Sequence, residues 1–206
     1  MKKLSIIILF LAVAGLNCSV YQTITNLSRL QFKLGPTTNI SLAGVSLEGK
    51  RKIGDLSSLD ALKLSASFIR GSLPLTFTLY VDAKNPNDGT GGYPRTNAAI
   101  TSFPWKLFID DKETISGNIG NPVDVPGTGE ATAIPLNISV DLINFFKDKG
   151  YEGIINLAMN ISGYGTSPSK LALFAQPTVR TEIGNITYPK ELKIISFEYS
   201  SALSNL

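Results

Sequence analysis

Leu73-Pro74-Leu75-Thr76-Phe77-Thr78-Leu79-Tyr80-Val81-Asp82-Ala83 alternates without a break, with an apolar residue at every second position from Leu73 to Ala83. Period-two alternation puts one face of a strand on a core and leaves the other in water, which is the pattern of an antiparallel sheet. Shorter alternating segments surround it: Leu30-Phe32-Leu34, Trp105-Leu107-Ile109, Ile134-Leu136-Ile138-Val140, Ile155-Leu157-Met159-Ile161 and Ile195-Phe197-Tyr199. Ile40 to Leu47 alternates too, with a phase shift at Ala43-Gly44 that predicts one strand kinked by a bulge. Short strands separated by Gly, Pro and Asn clusters predict a mainly β fold, an antiparallel β-sandwich.

Two segments break the strand pattern. Ser57-Ser58-Leu59-Asp60 is spaced as a capping box, and the residues to Arg70 place Leu62, Ala66 and Ile69 on one stripe before Gly71, which predicts a short helix. Asp141 to Lys149, closed by Gly150, predicts a second. The breaker-rich stretch from Lys84 to Asn97 reads as an exposed turn region.

Met1-Lys2-Lys3 followed by the apolar run Leu4 to Leu16 reads as a secretory signal, since a run of 13 residues falls short of the roughly 20 a spanning helix needs. The one cysteine, Cys18, follows directly, and Gly15-Leu16-Asn17-Cys18 resembles a bacterial lipobox, with Asn17 where that pattern has a small residue. The resemblance implies cleavage before Cys18 and acylation of its thiol. The expected organisation is a signal peptide over 1–17, a lipidated Cys18 with a tether to residue 29, and a single sandwich domain over 30–206. Ser19 after the cysteine fits lipid anchoring in the outer membrane, facing the periplasm.

Composition excludes several kinds of chemistry. The 206 residues, 43% of them apolar, are enough to bury a core, but they contain no His and a single Cys. His-dependent triads, His-ligated metals, Cys-only metal sites and an internal disulfide are therefore ruled out. Without Lys2 and Lys3 the basic residues number seventeen against sixteen acidic ones, and no basic cluster is left to follow a phosphate backbone, so nucleic acid is not an expected partner.

The remaining candidates for chemistry have structural readings. Ser167-Pro168-Ser169-Lys170 has the Ser-x-x-Lys spacing, but its Pro and Gly-rich surroundings favour a turn over the helix that chemistry needs. Asp82, Asp88, Asp110, Asp111 and Asp124 lie near turns without calcium-loop spacing. Gly127-Thr128-Gly129 lacks the strand and helix of a phosphate loop. Tyr93 and Trp105 are candidates for an aromatic platform, with Trp105 also placed on a strand. Neither a catalytic residue nor a cofactor is expected.

The strand from Leu73 runs on into Lys84-Asn85-Pro86-Asn87, and this segment resembles the signature strand of late embryogenesis abundant type 2 proteins, the water stress and hypersensitive response domain. Ile40 to Leu47 is similar to that family's first long strand, and Phe108 to Gly117 resembles its hairpin. The likeness spans roughly residues 30 to 165. It implies a sandwich related to fibronectin type III domains, with a helix at one end and no catalytic site. The expected function is that of a non-enzymatic, lipid-anchored envelope protein, protective under water stress. The alternatives are a module that binds an envelope protein partner and a carrier of hydrophobic ligands. Cys18→Ala is expected to move the protein from the membrane to the soluble fraction, and retention of the variant in the membrane fraction would refute the anchor.

Overall fold

The computed structural model describes residues 22–165, 170–181, 183–196 and 200–201. The chain is mainly β, and its strands form antiparallel sheets stacked as a sandwich. The first layer holds β1 (Gln31–Leu42), β2 (Val45–Ser46), β3 (Pro74–Lys84), β8 (Ala131–Asp141) and β13 (Ser200–Ser201), in the order β13-β1-β3-β8 with β2 paired to the end of β1. The strand read first from sequence, β3, is central in it, and pairs residue for residue with β8 from Pro74↔Asp141 to Lys84↔Ala131.

The second layer is creased. β4 (Ala98–Ser102), β7 (Val123–Val125), β10 (Thr178–Thr181) and β11 (Gly184–Thr187) form one four-stranded sheet, in the order β11-β10-β4-β7. β5 (Trp105–Ile109), β6 (Lys112–Gly117), β9 (Leu171–Ala175) and β12 (Leu192–Ile194) form the other, in the matching order β12-β9-β5-β6. Each passage between the halves contains a proline: Pro104, Pro122, Pro177 or Pro189. Proline has no N–H to give a ladder, so pairing stops there. The crease is bridged instead by Gln176 N to Pro104 O (3.0 Å) and Tyr188 N to Pro177 O (2.9 Å).

Phe32 of β1, fully buried, meets the crease from the other layer, with its ring 5.7 Å from Phe103 and 6.4 Å from Tyr188. Burial pushes the Tyr188 hydroxyl up from its ordinary pKa, and the hydroxyl donates to Leu27 O at 2.6 Å.

The helices are more extensive than the sequence suggested. Residues 22–28 form α1, and α2 spans Ser58–Ile69, with Ser57 and Asp60 in the expected capping box. Asp141 caps α3 (Leu142–Phe146) by accepting from Ile143 N, and also accepts from Leu73 N and the Ser72 hydroxyl. A 3₁₀ turn over Lys147–Lys149 leads into α4 (Gly150–Ile161).

Three expectations are corrected. Residues 155–161 are the end of α4, not a strand: Ile154, Ile155, Ala158 and Ile161 bury a helical face, and a short apolar run satisfies both periods. Gly150 closes the 141–149 segment as expected, capping the 3₁₀ turn with φ 66°, and α4 starts from it. Residues 22–29 are not a tether, because α1 packs on the body with Asn26 and Leu27 buried. The stripe Leu62-Ala66-Ile69 is present as expected and lies on the outer face of α2, which seats itself through Leu64 and Ser67. Ala43-Gly44 is not a bulge within one strand but the turn of a hairpin, with Leu42 opposite Val45. The expected strand at Ile195-Phe197-Tyr199 lies mostly outside the described residues, and β12 ends just before it.

Ala43 has φ 46° and Gly44 φ 78°, the left-handed pair that a two-residue hairpin turn requires. A side chain at Ala43 costs about 1 kcal/mol in that region. Ala43→Gly is therefore expected to raise Tm by about 2–3 °C in a thermal melt, and a lower Tm would show that the Ala43 methyl contributes more by packing than it costs in strain.

Candidate functional site

Where β3 ends, Asn85-Pro86-Asn87 turns inward rather than into solvent. Asn85 is fully buried and Asn87 is 2% exposed, which corrects the expectation of an exposed turn for this part of residues 84–97. The Asn85 amide donates to Thr96 O (2.8 Å) and Val125 O (3.0 Å), and its Oδ1 accepts from Asn87 N (3.2 Å) and Asn87 Nδ2 (2.9 Å). The second Asn87 amide hydrogen goes to Asn26 O on α1 (2.8 Å). Because both partners of Asn87 Nδ2 are acceptors, the orientation of that amide is fixed. Asn87 Oδ1 is buried with no protein partner among the described residues.

This turn holds three pieces of chain that are far apart in sequence: α1, the loop to Thr96, and the β7–β8 connection. Thr96 N donates to Asn87 O and Gly129 N to Asn85 O. Gly127 passes so close that a Cβ there would stand 2.3 Å from Asn87 O and 2.6 Å from Thr96 O, a position that admits only glycine. Outside the turn, the Arg29 guanidinium stacks 3.7 Å from the centre of the Tyr93 ring. The Asp88 carboxyl is held below the usual range, chiefly by the Thr90 hydroxyl.

A cavity of ≈ 930 Å³ opens against this end of the sandwich. Its wall carries the amides of Gln22, Asn26, Asn87 and Asn97, the hydroxyls of Thr96 and Thr181, and the charged groups Arg95, Arg180 and Asp124. Three paired strands arrange the last two: Arg180 of β10 is opposite Ala99 of β4, and Ala99 is opposite Asp124 of β7. Residues in register share a face, so a cation and a carboxylate flank a small residue, with their backbones about 9.5 Å apart. The wall thus mixes donors and acceptors for hydrogen bonds with apolar surface from Leu27, Leu30, Pro94, Pro126 and Val179. The space between the layers, in contrast, is filled by side chains such as Phe32, Phe103, Leu107 and Leu173, all fully buried.

Of the residues singled out in the sequence, Asn85 and Asn87 come together here with Asp124. Cys18 and the Ser167-Pro168-Ser169 stretch lie outside the described residues, and Lys170 Nζ is 3.5 Å from Asp111 Oδ2 at the β5–β6 turn. Trp105 is buried, with its ring against Gly117, and is not part of the cavity with which Tyr93's loop is associated. Among the described residues no three Asp or Glu side chains gather as a metal site. Asn26, Arg95, Asn97 and Arg180 carried no signal in the sequence, because what unites them is the packing of α1 and the loop before β4 beside the paired strands β10, β4 and β7.

No family model matches the chain, and no curated protein matches it. Among solved structures it is similar to a protein from Archaeoglobus fulgidus, at 10% identity and a TM-score of 0.33, over 79% of this chain and 96% of that one. It is also similar to AT1g01470 from Arabidopsis thaliana, at 13% identity and a TM-score of 0.34, over 83% of this chain and 85% of that one. Likenesses this distant carry no argument about function.

Asn85→Ala would leave two buried carbonyls without donors, each worth about 1–3 kcal/mol. The expected result is a fall in Tm of roughly 5–12 °C. A variant within 2 °C of the parent would show that water replaces the amide and that the turn is not the clamp described.

Proposed function

We propose that the protein is a non-enzymatic envelope module, held to a membrane by a lipidated Cys18, that binds hydroxyl-rich ligands such as sugars or polyols at the end of the sandwich nearest its anchor. The observation that carries this reading is the cavity beside α1, whose wall sets hydrogen-bonding groups among apolar patches. Its amides, hydroxyls and the charged groups of Arg95, Arg180 and Asp124 complement a ligand dense in donors and acceptors, and its apolar patches suit the carbon faces of such a ligand. The cavity begins at Gln22, four residues after Cys18, so an acylated Cys18 would hold it within roughly 15 Å of the lipid surface.

The filled interior counts against the hydrophobic-ligand carrier, which calls for an apolar cavity between the layers. The resemblance to late embryogenesis abundant type 2 proteins supports a non-catalytic role, and protection under water stress is one use of such a module. An envelope protein partner is accommodated by the same end where it presents a polar or glycosylated segment.

Ala99→Trp would fill the space between Arg180 and Asp124. Titration of the protein with glucose, trehalose and glycerol, followed by amide NMR shifts, is expected to show perturbations around Ala99 and Thr96 that weaken at least tenfold in the variant, about 1.4 kcal/mol. Absence of shifts at high ligand concentration, or an unchanged response in the variant, would dispose of the proposal.

A further inference from the structure

Helix α2 is apolar on two sides. Its inner side is fixed: Leu64 is fully buried, the Phe68 ring packs edge-on against Tyr151 of α4 at 5.4 Å, and the Tyr151 hydroxyl bonds Ala61 O and the Ser65 hydroxyl. Its outer side carries Leu59, Leu62 and Ile69, which are 60%, 66% and 83% exposed, with Ala66 between them. At 100° per residue these four positions fall within an arc of about 80°, opposite the seated face. One rigidly held helix therefore bears three of the large aliphatic side chains that the fold leaves in water.

The charge along this stripe has one sign. Lys63 and Arg70 follow its border at helical spacing, and Arg51 and Lys52 are exposed in the segment just before the helix. The acids nearby are occupied locally: Asp55 accepts from Arg51 N and Lys52 N, while Asp60 accepts from Ser57 N and lies 3.7 Å from Lys50 Nζ. No hydrogen bond or ion pair within 4.0 Å engages the Lys63 or Arg70 side chain among the described residues, and Lys63 feels Asp60 only through space. A second copy docked stripe to stripe with its helix antiparallel would set Lys63 and Arg70 against their own counterparts, which is repulsive. An aliphatic stripe with a cationic border matches an anionic lipid surface, where the apolar side chains enter the acyl boundary and the cations meet phosphates.

We infer that α2 is a membrane-docking helix that inserts Leu59, Leu62, Ala66 and Ile69 into the interface of an anionic bilayer, with Lys63 and Arg70 on its phosphates. α1 and α2 sit at opposite ends of β1, since Gln31 pairs with Lys84 next to the Asn85 turn and Leu42 pairs with Leu75 just after α2. Twelve strand residues span roughly 40 Å. A body held at both ends lies lengthwise on the bilayer instead of standing on its N-terminus. Docking of α2 does not depend on the anchor at Cys18, nor on the ligand proposed for the cavity.

The test uses the full chain with Cys18→Ser, so that an environment-sensitive fluorophore is attached only at Ala66→Cys, or at Asn185→Cys on β11 as the control. With vesicles of phosphatidylglycerol and phosphatidylethanolamine carrying a spin-labelled lipid, the probe at position 66 is expected to shift to the blue. It should also be quenched at least threefold more than at 185, and both effects should be lost in Leu62→Asp and reduced in the double variant Lys63→Glu/Arg70→Glu. Because the readout is local, attachment through the N-terminal apolar segment does not imitate it, and circular dichroism verifies that the variants are folded. Equal quenching at 66 and 185 on vesicle-bound protein would overturn the inference. So would a blue shift at 66 that grows with protein concentration in the absence of vesicles, which would assign the stripe to a second copy.

Discussion

The Asn85 side chain, fully buried, uses both amide hydrogens and its oxygen on other parts of the chain. A buried amide is costly unless it is satisfied, so each of its partners is constrained to be where it is. Thr96 O and Val125 O are fixed by its donors and Asn87 by its oxygen, and through Asn87 the helix α1 is fixed as well. The open end of the sandwich takes its shape from this contact. Gly127 must run against the turn without a side chain, and the cavity is the space that remains between α1, the loop and the exposed face of β4.

The second layer is shaped by what its prolines lack. With no N–H at Pro104, Pro122, Pro177 or Pro189, the four strands cannot pair continuously, and the sheet folds along that line. Phe32 then fills the inside of the crease against Phe103 and Tyr188, so a deficit of hydrogen bonding in one layer is matched by aromatic packing from the other. The crease also brings Tyr188 to Leu27 O, which couples the inner core to α1.

Both ends of the long first-layer strands carry helices, and these ends differ in chemistry. The end with α1 carries a cavity where amides, hydroxyls and the charges of Arg95, Arg180 and Asp124 stand among apolar patches. The end with α2 shows an aliphatic stripe bordered by cations. A molecule with a hydrogen-bonding cavity at one pole and an exposed aliphatic stripe at the other, with an N-terminal lipid proposed near the first, is suited to work at a surface. Both proposals for its function draw on that asymmetry.

The sequence by itself determined the mainly β class, the position of β3, the capped start of α2 and the breaker loop, because period-two alternation and capping are local properties. It also pointed to Asn85-Pro86-Asn87, though not to the burial of its amides. Only the tertiary structure decided that 155–161 is a helix, since the run offers both the alternating set Ile155, Leu157, Met159, Ile161 and the helical set Ile154, Ile155, Ala158, Ile161, and the burial of Ile154 and Ala158 selects the second. Likewise the outward stripe of α2 was legible as a stripe, but which apolar face seats the helix depends on Tyr151, 82 residues or more away in sequence from every residue of that helix. The cavity was invisible for the same reason: Arg180, Ala99 and Asp124 form one row through strand register, and register is set by pairing between distant segments.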